Sequence, residues 1–333
     1  MEFTMGGRLE VRIAPADVGK RVSVRRLTED GPGGAKFTDT VGVLTSWNDG
    51  VLSVTPKDGV SVRIEASALV AGKVVPAAPA RRRGPAASFA ELAPVYARAW
   101  QPVESEPLGE WRLRAAAGFT RRANSALPLG DPGLPLPEAL ERVRQWYAAR
   151  GLPARVQAAT GAGDTQERLC AGLEEHGWRR EVSAQVRIAA LAPIGDLPAE
   201  VGRVRLSRAV DDAWLSRYQR STAPGPEVTA VLESGPSVWF ATVPGTGGDT
   251  APAAIGRCVV DGRWAGFMAV EVAPEHRRQG LATAVMTALA RQAADEGASA
   301  AWLQVETDND GARSLYDGMG FVTHHLYHHF RAA

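Results

Sequence analysis

Arg277-Arg278-Gln279-Gly280-Leu281-Ala282 is a basic turn with one glycine, and such residues between a strand and a helix suit the holding of phosphates. Gly280 lets the backbone approach an anion closely. The start of a helix adds unpaired N–H groups and the positive end of its dipole. No Gly-Lys-Ser/Thr follows, so this is not a P-loop, and the G-x-G-x-x-G spacing of a dinucleotide fingerprint is absent. His324, His325, His328 and His329 raise the question of a metal. On a regular strand 324 and 328 share one face and 325 and 329 the other. No cysteine or carboxylate set joins them, so no metal is expected, and the imidazoles are expected in a cleft or in solvent. Cys170 and Cys258 read as small buried hydrophobes rather than reactive thiols.

The flanking elements must hold the basic turn. Phe267 to Val272 reads as a strand, and Pro274, which cannot donate to a ladder, fits its end. Leu281, Val285, Leu289 and Ala293 recur every four residues and predict one buried stripe of a helix from Leu281 to Ala294. Gly297 closes it. Ala301 to Glu306 alternates as a further strand. Asp308 or Asn309 then serves as an N-cap for a second helix, whose apolar face carries Ala312, Leu315, Tyr316 and Met319 and which ends at Gly320.

With those residues in view, Arg277-x-x-Gly280-x-Ala282 resembles the R/Q-x-x-G-x-G/A pyrophosphate cradle of the GCN5-related N-acetyltransferase (GNAT) superfamily. Asn309-x-x-Ala312-x-x-Leu315-Tyr316-x-x-x-Gly320-Phe321 resembles a second signature of the same superfamily. The resemblance implies a GNAT fold over about residues 203–331 and acetyl transfer from acetyl-CoA to an amine. It places the pyrophosphate on Arg277, Arg278, Gln279, Gly280, Leu281, Ala282 and Thr283, and the pantetheine on Val270, Glu271 and Val272 by strand addition. The Val272 N–H becomes the donor to the thioester oxygen. Tyr316 stands at the position of the general acid that protonates the leaving thiolate. Asn309 contacts the cofactor or fixes its loop. The sequence departs from one familiar pattern: the position five before the motif asparagine, a Glu base in some members, is Gln304. Glu271 and Glu306 remain as candidate bases, acting directly or through water if burial raises their pKa. A water-relayed base elsewhere stays open.

The preceding segment carries an echo of this half. A helix over Glu138–Arg150, a strand at Ala154–Ala158 and a helix over Thr165–His176 ending in Gly177-Trp178 repeat the order helix, strand, helix. No R-x-x-G-x-G/A follows Trp111 to Asn124, so this half is expected to bind no acetyl-CoA and to wall the acceptor cleft. Further upstream, Arg21–Arg25, Thr40–Leu44, Val51–Val54 and Val60–Ile64 alternate with Asn48-Asp49-Gly50 and Lys57-Asp58-Gly59 turns and predict a small SH3- or Tudor-like β-barrel. Pro76 to Pro85, with Arg81, Arg82 and Arg83, has linker composition. The expected fold is thus mixed α+β. A barrel over 1–76, a linker over 77–88, a diverged GNAT-like half over 89–202 and a catalytic GNAT domain over 203–333 make up the chain. This order resembles an actinobacterial acetyltransferase subfamily carrying a histone-acetyltransferase-like label.

Composition sets the outer limits. The 333 residues carry 38 Lys+Arg against 37 Asp+Glu, a net charge of +1, which gives no strong pull toward nucleic acid or acidic membranes. Two cysteines do not make a disulfide framework and suit a reducing cytoplasm. No apolar run reaches membrane-spanning length. Expected partners are acetyl-CoA and an amine, small or on a protein, with a peptide or nucleic acid as candidate ligand of the barrel and a monomer or homodimer as the assembly. The other function left open is an acetyl-CoA-binding regulatory or scaffold protein with little turnover.

Overall fold

The computed structural model describes residues 10–28, 36–76, 84–220, 224–245 and 251–333. Most of the Pro/Ala/Arg linker, including Arg81 to Arg83, and residues 221–223 lie outside them. Contacts divide the chain into two compact units. One holds the described residues up to 76 together with Ala159–Gly177; the other holds the rest.

The first unit is built on β1 (Arg21–Thr28), β2 (Lys36–Asn48), β3 (Val51–Thr55), β4 (Val62–Glu65) and β5 (Leu69–Val74). They form an antiparallel sheet in the order β4-β3-β2-β1-β5. Alternation buries Val22, Val24, Leu44, Leu52, Val54 and Ile64 on one face, as a half-buried strand requires. The ladder ends at β4 and β5, so this is an open sheet where the sequence predicts a closed barrel. β4 is four residues long and a 3-10 turn, Ala66–Ala68, separates it from β5. The sequence reading also missed β5, whose Ala71-Gly72 centre weakens the strand signal.

The second unit begins with α1 (Phe89–Arg98), capped by the Ser88 hydroxyl, which accepts from the Glu91 N–H at 3.1 Å. β6 (Glu104–Leu108), β7 (Trp111–Ala115) and β8 (Leu127–Pro128) form a small sheet. α2 (Leu136–Ala148), β9 (Arg155–Thr160), α3 (Glu167–Glu175) and β10 (Arg179–Ala190) follow. Of these, α3 belongs to the first unit, where it packs on β2. The remaining elements are α4 (Ala192–Gly195), β11 (Arg205–Ser207), α5 (Asp212–Arg217), α6 (Pro226–Leu232), β12 (Ser237–Val243), β13 (Ala254–Asp261), β14 (Trp264–Val272), α7 (Leu281–Asp295), β15 (Ala300–Glu306), α8 (Asp310–Gly318) and β16 (Val322–Arg331).

Eight strands make one sheet in the order β11-β12-β13-β14-β15-β10-β16-β9. The order shows how two halves interlock. β14 and β15 run parallel from Trp264↔Ala300 to Phe267↔Leu303, and in the first half a parallel bridge joins Ala126 to Val156. The last strand of the first half, β10, inserts between β15 and β16 of the second. In turn β16 lies beside β9. Each half therefore completes the other's sheet, and the chain carries a mixed α/β fold of tandem GNAT-like halves.

Helix α7 covers the middle of the sheet. Leu281, Val285, Leu289 and Ala293 are buried, as their spacing predicts, against β12, β13 and β14. The approach is close at Gly256, where a Cβ would stand 2.4 Å from Val285 Cγ1. β13 is buried on nearly every residue, which fits a central strand covered on both faces.

Candidate active site

Strand β14 stops pairing with β15 after Phe267, while its other edge stays on β13 as far as Val272. A bulge causes the divergence: Ala269 has φ +51 and the β13–β14 register shifts around Gly256. A bulge bends its strand and re-aims the residues beyond it. Val270, Glu271 and Val272 thereby gain a free edge. Ala273 N–H donates to Ala253 O at 2.9 Å, so alternation along the ladder turns the Val272 N–H away from β13 and into the gap.

The basic turn follows. A 3-10 turn, Pro274–His276, ends with Arg277 N–H on Pro274 O. Arg278 (φ +63) and Gly280 (φ +77) are both left-handed, a backbone that gathers successive N–H groups into an anion-binding concavity. Among the described residues, the N–H groups of Arg278, Gln279, Gly280, Leu281, Ala282 and Thr283 have no protein acceptor; the first bond of α7 is Ala284 N–H to Gly280 O. Arg277 and Arg278 are exposed and make no ion pair within the described residues.

Helix α8 is fixed at both ends. The Asn309 side chain accepts from Ala312 N–H at 3.1 Å, the N-cap geometry that its residue type favours. Buried Arg187 of β10 donates to Arg313 O (3.1 Å), Phe321 O (3.0 Å) and the Asp317 carboxylate. A first-half residue thus clamps the helix that carries Tyr316, and no local sequence signal announces it. Tyr316 packs edge-on against Phe321 at 5.8 Å. Its hydroxyl has no hydrogen-bond partner among the described residues, and burial pushes its pKa up to about 12, so it stays protonated at neutral pH.

The two candidate bases sit in different surroundings. Burial raises the Glu271 pKa, opposed by the Gln219 N–H that donates to its Oε2 at 3.0 Å and by Arg220 and Arg217. Glu306 lies between Arg121 (3.6 Å) and Arg220 (3.8 Å). Gln304 accepts from Arg122 at 2.5 Å, so the departure from Glu is matched by an arginine from the first half.

Of these groups, Glu306, Arg121, Arg122 and Arg220 line a cavity of about 330 Å³, together with Phe119, Tyr327 and His329, among others. The arginines are what the sequence reading missed. Arg122 meets Gln304 from 182 residues away, and no spacing rule reaches that far.

The histidines depart from their expected arrangement. His325, His328 and His329 are buried, and only His329 of these lines the cavity. The β10–β16 register shifts between Thr323 and His325, which breaks strict alternation and lets His324 Nδ1 meet His325 Nδ1 at 2.7 Å. His328 Nδ1 bonds Ser183 Oγ at 2.7 Å. No group of three or more possible metal ligands occurs among the described residues. Among the described residues, no helix is long and apolar enough to cross a membrane. Both cysteines are buried and neither forms a disulfide, and burial pushes the Cys258 thiol up to about 12.

Comparison with known proteins bears on what this geometry serves. A family profile described as the C-terminal part of "Probable histone acetyltransferase Rv0428c" matches residues 88–330. The Mycobacterium tuberculosis protein of that name is 31% identical over 313 residues, spanning 92% of this chain and 93% of its own. The chain belongs to this family. Membership makes it an acetyltransferase of the GNAT type. A Bacillus subtilis relative, "Uncharacterized N-acetyltransferase YobR", is 26% identical over 242 residues, which are 69% of this chain and 94% of its own. Among solved structures, a "GCN5-related N-acetyltransferase" from Kribbella flavida aligns with TM-score 0.52 at 20% identity, covering 74% of this chain and 96% of its own. At that identity the likeness speaks for the fold of this family member.

Proposed function

We propose that this family member transfers acetyl from acetyl-CoA directly to an amine. The observation that carries the reading is the run of six backbone N–H groups, Arg278 to Thr283, left without acceptors beside the open edge of β14. A pyrophosphate satisfies those donors at the positive end of α7, with Arg277 and Arg278 adding charge. Val270, Glu271 and Val272 offer the pantetheine arm a free strand edge. The Val272 N–H donates to the thioester oxygen as negative charge grows there. The amine nitrogen attacks the thioester carbon, the carbon–sulfur bond breaks, and the leaving thiolate takes the Tyr316 proton. Glu271 accepts the proton lost by the amine, directly or through water, because burial raises its basicity while Glu306 is committed to two arginines. Asn309 holds the start of α8 and so the placing of Tyr316.

The same reading places the catalytic domain at 203–333, the diverged half at 89–202, the linker at 77–88 and an N-terminal domain at 1–76. That N-terminal domain is built on the open five-stranded sheet.

Calorimetry with acetyl-CoA tests the cradle, and thiol release from acetyl-CoA with an amine panel tests turnover. Binding is expected, and Tyr316→Phe is expected to lower kcat by about 100-fold with acetyl-CoA affinity little changed. Absence of acetyl-CoA binding overturns the reading; full turnover by the Phe variant removes the acid assignment.

A further inference from the structure

The cavity is electrically lopsided. Three guanidinium groups, Arg121, Arg122 and Arg220, line it with one carboxylate, Glu306. Arg121 and Arg220 share that carboxylate at 3.6 and 3.8 Å. Arg122 has no acidic partner among the described residues. It donates to the neutral carboxamide of Gln304 and lies over the Trp100 ring at 4.5 Å. Protein packs densely round it while part of its surface stays open to the cavity. Even with Glu271 included, cations exceed carboxylates here.

The histidine in the wall does not restore the balance. His329 is 2% exposed and its Nδ1 has no hydrogen-bond partner. Burial, with Arg114, Arg121 and Arg122 adding to it, holds it neutral. The cavity thus combines excess positive charge with an unsatisfied buried polar atom. Buried or half-buried charges without partners are costly, and a ligand that supplies the missing anion recovers that cost. Phe119, Tyr327 and Val182 give the same cavity apolar wall. Its volume of about 330 Å³ suits a small molecule.

We infer that the acceptor is a small primary amine carrying an anionic group, a carboxylate or a phosphate, which docks on Arg121, Arg122 and Arg220. The inference rests on the acetyl-transfer reading and narrows its substrate. A lysine within a strongly basic segment brings more positive charge into a cavity that already has an excess, so the histone label of the M. tuberculosis relative does not describe what this cavity selects. The excess charge also favours the neutral form of a bound amine, which eases proton loss at a site where Gln304 replaces a carboxylate. The anion on the acceptor sits against the arginines, and the amine points to the thioester.

The full-length protein tests this with acceptor pairs that differ by one charge. L-phenylalanine is compared with phenethylamine, and phosphoethanolamine with ethanolamine, beside a lysine-rich histone-tail peptide. Thiol release and product mass are the readouts, and calorimetry reports binding of each amine. The anionic member of at least one pair is expected to show kcat/KM about tenfold higher or more, as charge-assisted contacts predict; which pair responds tells carboxylate from phosphate. In Arg121→Gln/Arg220→Gln the KM for that acceptor is expected to rise about tenfold or more, while the Kd for acetyl-CoA stays as it was. Preference for a neutral amine or for the basic peptide overturns the inference. So does preference for the anionic acceptor that survives the double substitution. If no anionic amine binds or reacts, with or without bound acetyl-CoA, the inference is also overturned. Loss of acetyl-CoA binding by the unmodified protein is the separate result that sinks the acetyl-transfer reading itself.

Discussion

Glu271 shows how one residue's setting decides its chemistry. It lies beyond the Ala269 bulge, on the strand edge that β15 abandons, and desolvation raises its pKa against the pull of the Gln219 N–H and of Arg220 and Arg217. As a base it works only when ionised. The acid limb of kcat/KM is therefore expected above the ordinary carboxylate range, with activity lost as pH falls through the raised pKa. The stability sign runs the other way: a carboxyl whose folded pKa is raised favours the folded state while protonated and loses that contribution as pH rises through the folded value. Glu271→Gln is expected to abolish the acid limb, to lower turnover by about 10²-fold, and to melt no lower than the unsubstituted protein at pH 8. A pH–rate profile identical to that of the unsubstituted protein would remove Glu271 from the mechanism.

Among the elements, the turn between β14 and α7 is where backbone conformation bears on the proposed acetyl-CoA binding. Gly280 has φ +77, and a Cβ built there meets nothing within 4 Å. The cost of Gly280→Ala is then conformational, about 1–2 kcal/mol for a left-handed alanine, and relaxing it means turning N–H groups out of the concavity. The expected result is a Kd for acetyl-CoA raised about 10-fold, with the melting temperature lowered by only a few degrees. Calorimetry and a thermal scan check it; unchanged affinity would show that the turn's geometry does not matter to the ligand. Much of this element-scale organisation was legible beforehand. Helix α7 and strand β15 match their periodicity to within a residue or so, and the Asn309 cap is where the residue type places it. The first half was less legible: α1, with Pro94 inside it, gives no clean helical signal.

At the scale of the whole molecule, the exchange of strands makes the halves interdependent. β10 supplies both β15 and β16 with a neighbour, and Arg187 on it grips α8. A fragment of residues 203–333 keeps the cradle and Tyr316 but loses that strand. It is expected to be insoluble or to show no cooperative unfolding by circular dichroism; a well-folded, acetyl-CoA-binding fragment would contradict this account of the sheet.

The same interlocking buries histidines. Burial holds His325 and His328 down at about 3, so both stay neutral in the fold and take protons only on unfolding at mildly acid pH. Groups depressed in this way contribute stability above their unfolded pKa, near 6.5, and lose it as pH falls toward 3. Each is worth roughly 1.4 kcal/mol per pH unit in that window. The paired carboxylates weaken only below their ordinary range, so the fall between pH 6.5 and 4.5 belongs to histidine. Urea midpoints across that interval are expected to drop steeply, and less so in His325→Phe. A flat profile down to pH 4.5 would mean that these histidines are not buried neutral.

Read by itself, the sequence determined the local items: the glycine-bearing basic turn, the helix after it, the capped helix carrying Tyr316, and the presence of Gln304 where some family members have a carboxylate. These rest on contacts within one turn or one strand, which residue type and spacing specify directly. Tertiary structure alone decided the rest. It turned the expected barrel into an open five-stranded sheet and gave α3 to that sheet. It set β10 between β15 and β16, brought Arg122 to Gln304, and gathered three arginines and one carboxylate in the wall of one cavity. Many of those contacts join residues far apart in the chain, Arg122 and Gln304 by 182 positions, where pairing depends on which sheet edge is free and which charge is left unmatched after the chain has folded. Spacing along the chain carries no information about either.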